Sequence, residues 1–318
     1  MNENVNTKAS LNTIDEIDLT KIFSIIWDDR KILYIISSIF AIAAVTFSLY
    51  LPNIYQSKAL LSPIAEEDGM SSALRSYGGL AGLAGINLPS SSNDNNSVKA
   101  LDKIQSLSFF TQSIFPNIYL PDLMAIKSWD AKNNKIIYKK NIFDETSQKW
   151  IRDFKYPQKQ IPSAQESFEV FIKEHLDVSE DKNTGFITIS IKHQSPHVAQ
   201  QWTDLIVKEV NYFFRVKDKA EAQAAISFLN TQIAETSFTE IKQVIAQLLQ
   251  QKTQQLSLIE VSDFYVFEYI DPPAIMEKKS EPNRALICIL VTTLGGLLGA
   301  LIILLRYYLF GSKKYLFQ

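Results

Sequence analysis

The sequence predicts an α+β protein in which two transmembrane helices flank an α/β base domain with a long protruding helical hairpin. Three observations support this fold class. Two uncharged apolar stretches, residues 32–51 and 285–305, frame about 230 residues of mixed composition. The segment 186–191 alternates apolar and polar residues, as a half-buried strand does. The segment from Pro196 to Ala234 contains neither glycine nor a further proline and has helical apolar spacing.

Each apolar stretch is long enough to cross a bilayer once. Neither contains Asp, Glu, Lys or Arg, and a hydrocarbon core of ~30 Å needs about 20 apolar residues in helical form. About 30 residues precede the first stretch, which favours an uncleaved anchor over a signal peptide. Two spans return the chain to its starting side, so both tails share one compartment.

The distribution of Lys and Arg near the spans favours tails in the cytoplasm and a main domain on the other side of the membrane. Six such residues lie on the tail side and four on the other side. The tail-side residues are Lys21, Arg30, Lys31, Arg306, Lys313 and Lys314, and the others are Lys58, Lys278, Lys279 and Arg284.

The predicted organisation follows from these boundaries. From the N-terminus we expect a tail with an amphipathic segment (1–31), the first transmembrane helix (32–51), the main domain (52–283), the second transmembrane helix (284–305) and a second tail (306–318). Within the domain we expect a base (52–195 and 260–271), a long helix with its tip (196–259) and a proline-rich connector (271–283).

The composition excludes several classes of site. A formal charge of -2 offers no patch for nucleic acid. The single cysteine, Cys288, allows no disulfide within the chain and is interpreted as an apolar packing residue. The glycine-rich segment 78–85 lacks the Lys-Ser/Thr ending of a phosphate-binding loop.

No pattern indicates catalysis. His193 and His197 are four residues apart, but Pro196 stands between them and no Cys or suitable carboxylate completes a metal site. We interpret these residues and His175 as structural or surface histidines. The acidic pairs 66–68 and 180–181 lie in polar turns, and we expect no catalytic residue, cofactor or metal.

The N-terminal half contains several shorter elements. Ile14–Trp27 is amphipathic, with Asp18 as a candidate cap, and suits the membrane surface. Tyr55–Leu61 reads as a strand ended by Pro63, and 66–97 as a Ser/Gly/Asn-rich insertion. A helix starting at Ser97 is predicted to use one apolar face as far as Phe110, and Pro116–Pro162 is interpreted as short helices and loops.

The second half is more regular. Ser163 and Glu166 form a capping-box pattern for a helix to Glu174. Lys182–Gly185 is a hairpin turn before the strand Phe186–Ile191. Ser195–Pro196 opens the long helix, which would extend about 57 Å if unbroken and should project from the base.

A returning helix and a last strand complete the domain. Thr236–Ser237 marks the tip, the second helix begins near Thr239, and 264–269 reads as a strand. Four glutamines at helical spacing form a strip on the second helix: Gln243, Gln247, Gln250 and Gln254. The strip and Arg215 are candidate contacts to a neighbouring subunit or a glycan, although a solvated helix face fits the same pattern.

The segment before the second span is stiff, and the span itself has a small-residue face. Pro272, Pro273 and Pro282 exclude both helix and central strand from the connector. Gly295 and Gly299 are four residues apart, as are Gly296 and Ala300, which favours close packing against another helix. The residues of this face are Gly295, Gly296, Gly299 and Ala300.

Taken along the whole chain, these features resemble a Wzz-type chain-length determinant, a polysaccharide co-polymerase of bacterial inner membranes. The resemblance rests on Ile17–Leu19, on Ser195–Pro196 with Trp202 and Asn211, on the Asp271–Arg284 connector and on Gly295–Gly299. Met276 departs from the family, which usually has proline directly before the Glu277–Lys279 segment.

The resemblance implies a non-enzymatic regulator of the length of O-antigen or a related glycan on an undecaprenyl carrier. It implies a Wzy-type polymerase as partner and a ring of identical subunits, about eight in number. Some co-polymerases carry a cytoplasmic kinase, which is not expected from the dozen or so residues after the second span. Two alternatives stay open: a two-span sensor with an extracytoplasmic ligand domain, and a membrane-tethered enzyme acting on glycans.

Overall fold

The computed structural model describes residues 19–64, 96–261 and 264–310. It divides into two compact units, one comprising the chain up to Pro52 and from Pro282, and the other comprising Asn53–Glu281. The predictions for the region before Leu19, including the cap at Asp18, lie outside the described residues. Most of the 66–97 insertion, including the glycine-rich segment, also lies outside them.

The described part of the first unit contains three helices. Helix α1 is Leu19–Asp28, α2 is Arg30–Tyr50, and α9 is the C-terminal helix Arg284–Phe310. Helices α2 and α9 pack against each other, and both are long and apolar enough to cross a membrane. Most of their large apolar side chains are exposed within this unit, as a lipid-facing surface requires. Two candidate spans were predicted at these places, and the structure contains both.

The second unit is built on a four-stranded antiparallel sheet in the order β6-β7-β1-β8. The strands are β1 (Tyr55–Pro63), β6 (Leu176–Glu180), β7 (Ile187–His193) and β8 (Phe267–Asp271). Strand β1 pairs with β7 from Tyr55↔His193 to Leu61↔Ile187. Side chains at alternate positions of β7 enter the core: Ile187, Ile189 and Ile191. The strand predicted from alternation is therefore confirmed, and it extends two residues further than expected.

A 40-residue helix, α7 (Pro196–Glu235), packs on this sheet and pairs with α8 (Thr239–Val261). Its first half presents a buried stripe that includes Val198, Trp202, Ile206, Val210 and Phe214. After Ala222 its described side chains are half-buried or exposed. The long helix, the turn at Thr236 and the returning helix from Thr239 are thus confirmed.

The helix predicted from Ser97 to Phe110 is interrupted, and in this respect the prediction was wrong. The first helix, α3 (Asn96–Ile104), is followed by the short α4 (Leu107–Phe109), which continues into a π-helical turn, Phe110–Ile114. The break occurs because the Ser106 hydroxyl accepts the backbone N–H of Phe109 at 3.2 Å and begins a new helix.

The interpretation of 116–162 as short helices and loops missed two β-hairpins. One helix is present, α5 (Leu120–Met124), but it is followed by β2 (Ile126–Asp130) with β3 (Lys135–Tyr138), and then β4 (Phe143–Asp144) with β5 (Lys149–Trp150). Their turns use Asn134 and Gln148 at positive φ, so the glycine that usually signals such a turn is missing.

Two further boundaries differ from the sequence prediction. Helix α6 (Ala164–Val170) begins at the Ser163 cap as expected, but Glu166 pairs with Arg152 and the helix continues as a π-helical turn, Phe171–His175. Strand β8 begins at Phe267 rather than at residue 264. The backbone N–H groups of the preceding residues are bound by a side chain from α7, as described below.

Candidate functional site

One buried amide joins the long helix to the strand that returns from the hairpin. The Oδ1 atom of Asn211 accepts backbone N–H groups from Tyr265, Val266 and Phe267 at 3.1, 2.8 and 3.0 Å. Its Nδ2 atom donates to the carbonyl oxygens of Val207 and Phe267. All the hydrogen-bonding capacity of the amide is therefore used where α7 passes the start of β8.

Two tyrosines reinforce this junction. The Tyr265 hydroxyl donates to Asp218 at 2.7 Å, and the Tyr269 hydroxyl donates to Asp204 at 3.1 Å. Burial, and after it the Asp204 carboxylate, raises the pKa of Tyr269 above its usual range, so the hydroxyl stays protonated as a donor. These two bonds connect α7 to the residues just before β8 and to β8 itself.

A histidine cluster, defined as His175, His193 and Trp202, is buried where β7 leads into α7. The two imidazole ring centroids are 5.6 Å apart, and each ring meets the Trp202 ring edge-on at 5.6 and 5.1 Å. His197, which the sequence pairs with His193 by spacing, instead lies beside Trp129 at 6.4 Å between ring centroids. The structure therefore brings His193 together with His175, a pairing that spacing alone does not indicate.

The proline-rich connector runs in extended form along the sheet. Ser57 on β1 donates a hydrogen bond to the carbonyl oxygen of Ala274 at 2.9 Å. Ile54 forms a bridge with Glu281, whose carboxylate pairs with Lys192 at 2.6 Å. Pro273 is buried and Pro272 exposed, while Pro282 begins the other unit. No helix interrupts the described connector between Asp271 and Pro282.

The small-residue face of α9 lies against α2 of the same chain. A Cβ added to Gly295 would stand 2.5 Å from the Cβ of Phe40, and one added to Gly299 would stand 3.1 Å from Leu33 Cδ1. Gly296 has more room, with Ser37 Oγ at 3.6 Å, and Ala300 is half-buried. Close approach of the two helices at Gly295 thus depends on the missing side chain.

The predicted glutamine strip is solvent-exposed on α8. Gln243, Gln247, Gln250 and Gln254 are all exposed, and Arg215 on α7 is half-buried. Large apolar side chains are also exposed on the hairpin: Phe228, Phe238, Ile241 and Val244. A surface that mixes amides with exposed aromatic and aliphatic groups is available for contact with another molecule.

The described residues contain no group of three or more His, Cys, Asp and Glu side chains placed to hold a metal ion.

A shallow groove of about 500 Å³ opens between α7 and α8, with a lining of amides, hydroxyls and aliphatic carbons. Its residues are Gln223, Ile226, Ser227, Asn230, Thr231 and Leu256. The groove contains no titratable side chain, so its chemistry suits binding rather than proton transfer.

Residues 15–113 match the family model described as Wzz, chain length determinant protein. No curated protein sequence matches the chain significantly.

Two solved structures resemble the chain more distantly. A full-length bacterial polysaccharide co-polymerase is 14% identical, with coverage of 95% of this chain and 100% of that one and a TM-score of 0.40. A fragment of WzzB, a polysaccharide co-polymerase from Salmonella Typhimurium, is 15% identical, with coverage of 72% and 100% and a TM-score of 0.26. Both TM-scores are below 0.5, so these two structures carry no further argument. The match of residues 15–113 to the family model confirms the resemblance to Wzz-type chain-length determinants.

Proposed function

We propose that this chain is a chain-length determinant that regulates how long a polysaccharide grows before its synthesis ends. The observation that carries the proposal is the match of residues 15–113 to the chain length determinant family. That segment includes α2, the first candidate span, and β1, one of the two inner strands of the sheet. The family pattern therefore covers the point at which the membrane unit and the base domain are joined in the chain.

We further propose that the chain works in the inner membrane beside a Wzy-type polymerase acting on an undecaprenyl-linked glycan. The candidate spans α2 and α9 would anchor it, with both termini in the cytoplasm and 52–283 in the periplasm. The predominance of Lys and Arg on the tail side supports this orientation. O-antigen or a related lipid-linked glycan is the proposed polymer.

The proposed mechanism is non-enzymatic and depends on shape. Identical subunits would form a ring, about eight in number, that holds polymerase and polymer together. The hairpin is suited to such a scaffold because Asn211 fixes it to the sheet, while its exposed face remains available for contacts. We propose the glutamine strip and Arg215 as part of the contact with a neighbouring subunit or the glycan.

Deletion of the gene tests the regulatory role directly. The expected result on a gel of surface polysaccharide is polymer in normal amount whose lengths no longer cluster around one value. Complementation with the wild-type gene should restore the cluster. Complete loss of polymer would contradict the proposal and favour an enzyme. An unchanged distribution of polymer lengths would show that the chain does not control length.

The ring is tested separately by the mass of the full chain purified in detergent. Native mass spectrometry should give a single multiple of the subunit mass, whereas a monomer would contradict the scaffold.

Replacement of Gln247 and Gln250 by Lys probes the glutamine strip, because both side chains are exposed and the subunit fold should be unaffected. A shift in modal length at unchanged thermal stability is the expected result, and an unchanged length would remove this strip from the contact surface.

A further inference from the structure

The hydrogen bonds of His193 require its neutral form. Its Nδ1 atom accepts the backbone N–H of Ser195 at 3.0 Å, and its Nε2 atom donates to the carbonyl oxygen of Asp122 at 3.1 Å. A neutral imidazole has one donor and one acceptor, so this arrangement assigns the proton to Nε2. A second proton on Nδ1 would point at the Ser195 N–H and replace an attraction with a repulsion.

The bond to Ser195 lies at the start of the longest helix of the chain. Ser195 is the residue before α7, and its own side chain forms no capping bond to the helix. His193 is only 2% exposed and packs on Trp202 from the second turn of α7. The imidazole is thus in contact with the beginning of α7 through both a hydrogen bond and a ring.

Protonation is opposed by what surrounds the ring. His175, on the π-helical turn before β6, lies beside it, so two charges there would repel each other. The charged residues on the adjoining elements have other partners: Asp122 on α5 accepts from Tyr138, Lys173 on the π-helical turn pairs with Glu169, and Lys192 on β7 pairs with Glu281. His197 lies beside Trp129, and Glu174, beside His175 in sequence, is solvent-exposed.

We propose that His193 is an acid-released latch, in which protonation of the ring breaks its bond to Ser195 and frees the N-terminal turns of α7 from the sheet. The latch is a property of the fold and does not depend on which polymer the chain regulates.

The pKa values agree in direction with this geometry. Burial, and after it the neighbouring His175, lowers the pKa of His193 to about 4, and burial lowers the pKa of His175. Because the pKa of a solvated histidine is about 6.5, opening becomes easier as the pH falls from about 6.5 to 4. Burial raises the pKa of the Asp122 carboxyl, which acts in the opposite direction and favours the folded form in acid.

The expected size follows from the two pKa values of His193. If opening exposes the ring fully, the opening constant should rise about 20-fold between pH 7 and pH 5. Both histidines contribute with the same sign, so His175 increases the response.

Hydrogen exchange of the full chain in detergent micelles tests the latch. Labelling times are scaled so that intrinsic exchange is equal at pH 7 and pH 5. Amides in the second and third turns of α7, residues 199–206, should lose at least about 20-fold protection at pH 5 in the wild type. His193→Asn can still accept the Ser195 N–H but does not titrate, so most of this loss should disappear.

His197→Gln is the matched control, because it removes a nearby histidine that lies in the first turn of α7 beside Trp129 and outside the histidine cluster, so this variant should keep the full acid response. An equal response of wild type and His193→Asn would overturn the proposal. If His193→Asn does not fold, the pKa of His193 in the wild-type chain still tests the proposal. The pKa of His193 can also be measured by NMR titration of its imidazole signals. A measured pKa near 6.5 would contradict the latch, and one well below 6 would support it.

Discussion

The Oδ1 atom of Asn211 lies 2.8 Å from the backbone nitrogen of Val266, a residue 55 positions later in the chain. The same oxygen accepts two further backbone N–H groups, so a single side chain binds three consecutive residues of the returning segment. The bonds also account for the late start of β8, since these N–H groups are turned towards α7. Asn211 is therefore the main polar connection between α7 and the start of β8, and the bonds of Tyr265 and Tyr269 add to it.

Asn211→Ala should strongly destabilise the second unit, Asn53–Glu281. The change leaves three backbone N–H groups without their acceptor in a buried place, and each such group costs about 1–3 kcal/mol. We expect a loss of at least about 3 kcal/mol, measured by denaturant unfolding of the full chain in detergent. Asn230→Ala, at an exposed position of the same helix, should change stability little. Equal effects of the two substitutions would contradict the role of Asn211.

Gly295→Ala should weaken the packing of α2 on α9. The added Cβ would approach the Cβ of Phe40 to 2.5 Å, and overpacking of this kind costs about 1–3 kcal/mol. Gly296→Ala is the control, because its nearest neighbour stands at 3.6 Å. In thermal unfolding in detergent, Gly295→Ala should have a lower melting temperature than Gly296→Ala, and equal melting temperatures would contradict the prediction.

A double-mutant cycle makes this prediction specific to the pair. Phe40→Ala removes the obstructing ring, so Gly295→Ala should cost much less in that background, with a coupling of about 1 kcal/mol or more. Additive effects would show that Gly295 does not act through Phe40. The larger change of Gly295 and Gly299 to Leu should also impair length control while the protein still inserts into the membrane.

Glu281→Ala should loosen the connector without unfolding the domain. The Lys192–Glu281 pair is partly exposed, so its loss should cost less than about 1 kcal/mol. Hydrogen exchange of residues 274–281 should nevertheless become faster, because the connector loses its ionic contact with β7. Lys192→Ala should have the same effect, whereas Lys58→Ala, at an exposed position of β1, should have none. Unchanged exchange in both pair variants would contradict this role.

Arg152→Lys should destabilise the segment before α6. The Arg152 guanidinium binds both carboxylate oxygens of Glu166, and its Nε also donates to the carbonyl oxygen of Gln160 at 3.0 Å. Lysine cannot reproduce this fork, and we expect a loss of about 1–3 kcal/mol in thermal unfolding. Lys135→Ala removes an exposed pair with Glu145 and should change stability by less than about 1 kcal/mol. A smaller effect at Arg152 than at Lys135 would contradict the prediction.

Periodicity and composition predicted the elements that depend on local sequence. The helices α2, α7 and α9 follow from long stretches without charge or without glycine and proline, and β7 follows from strict alternation. The Ser163 cap could be predicted because the backbone N–H that it accepts belongs to Glu166, only three residues away. In each case the residues that determine the structure are neighbours in the chain.

The features that sequence reasoning missed depend on distant partners. Asn211 was noted only as a family residue, and its role requires β8, more than 50 positions away. His175 and His193 meet because β6 pairs with β7, so their spacing in sequence gave no signal. The hairpins within 126–150 use Asn134 and Gln148 at positive φ, where no glycine marks the turn. A buried polar residue on an apolar helix face was the one available signal for Asn211.

The most direct test of length control is the modal length of the surface polysaccharide as expression of this chain rises from zero in a deletion strain. The account predicts a constant total amount of polymer. Its length distribution should change from a broad decline to a single peak as the chain accumulates. Polymer that is absent without the chain, or that rises in amount at unchanged length distribution, would contradict length control.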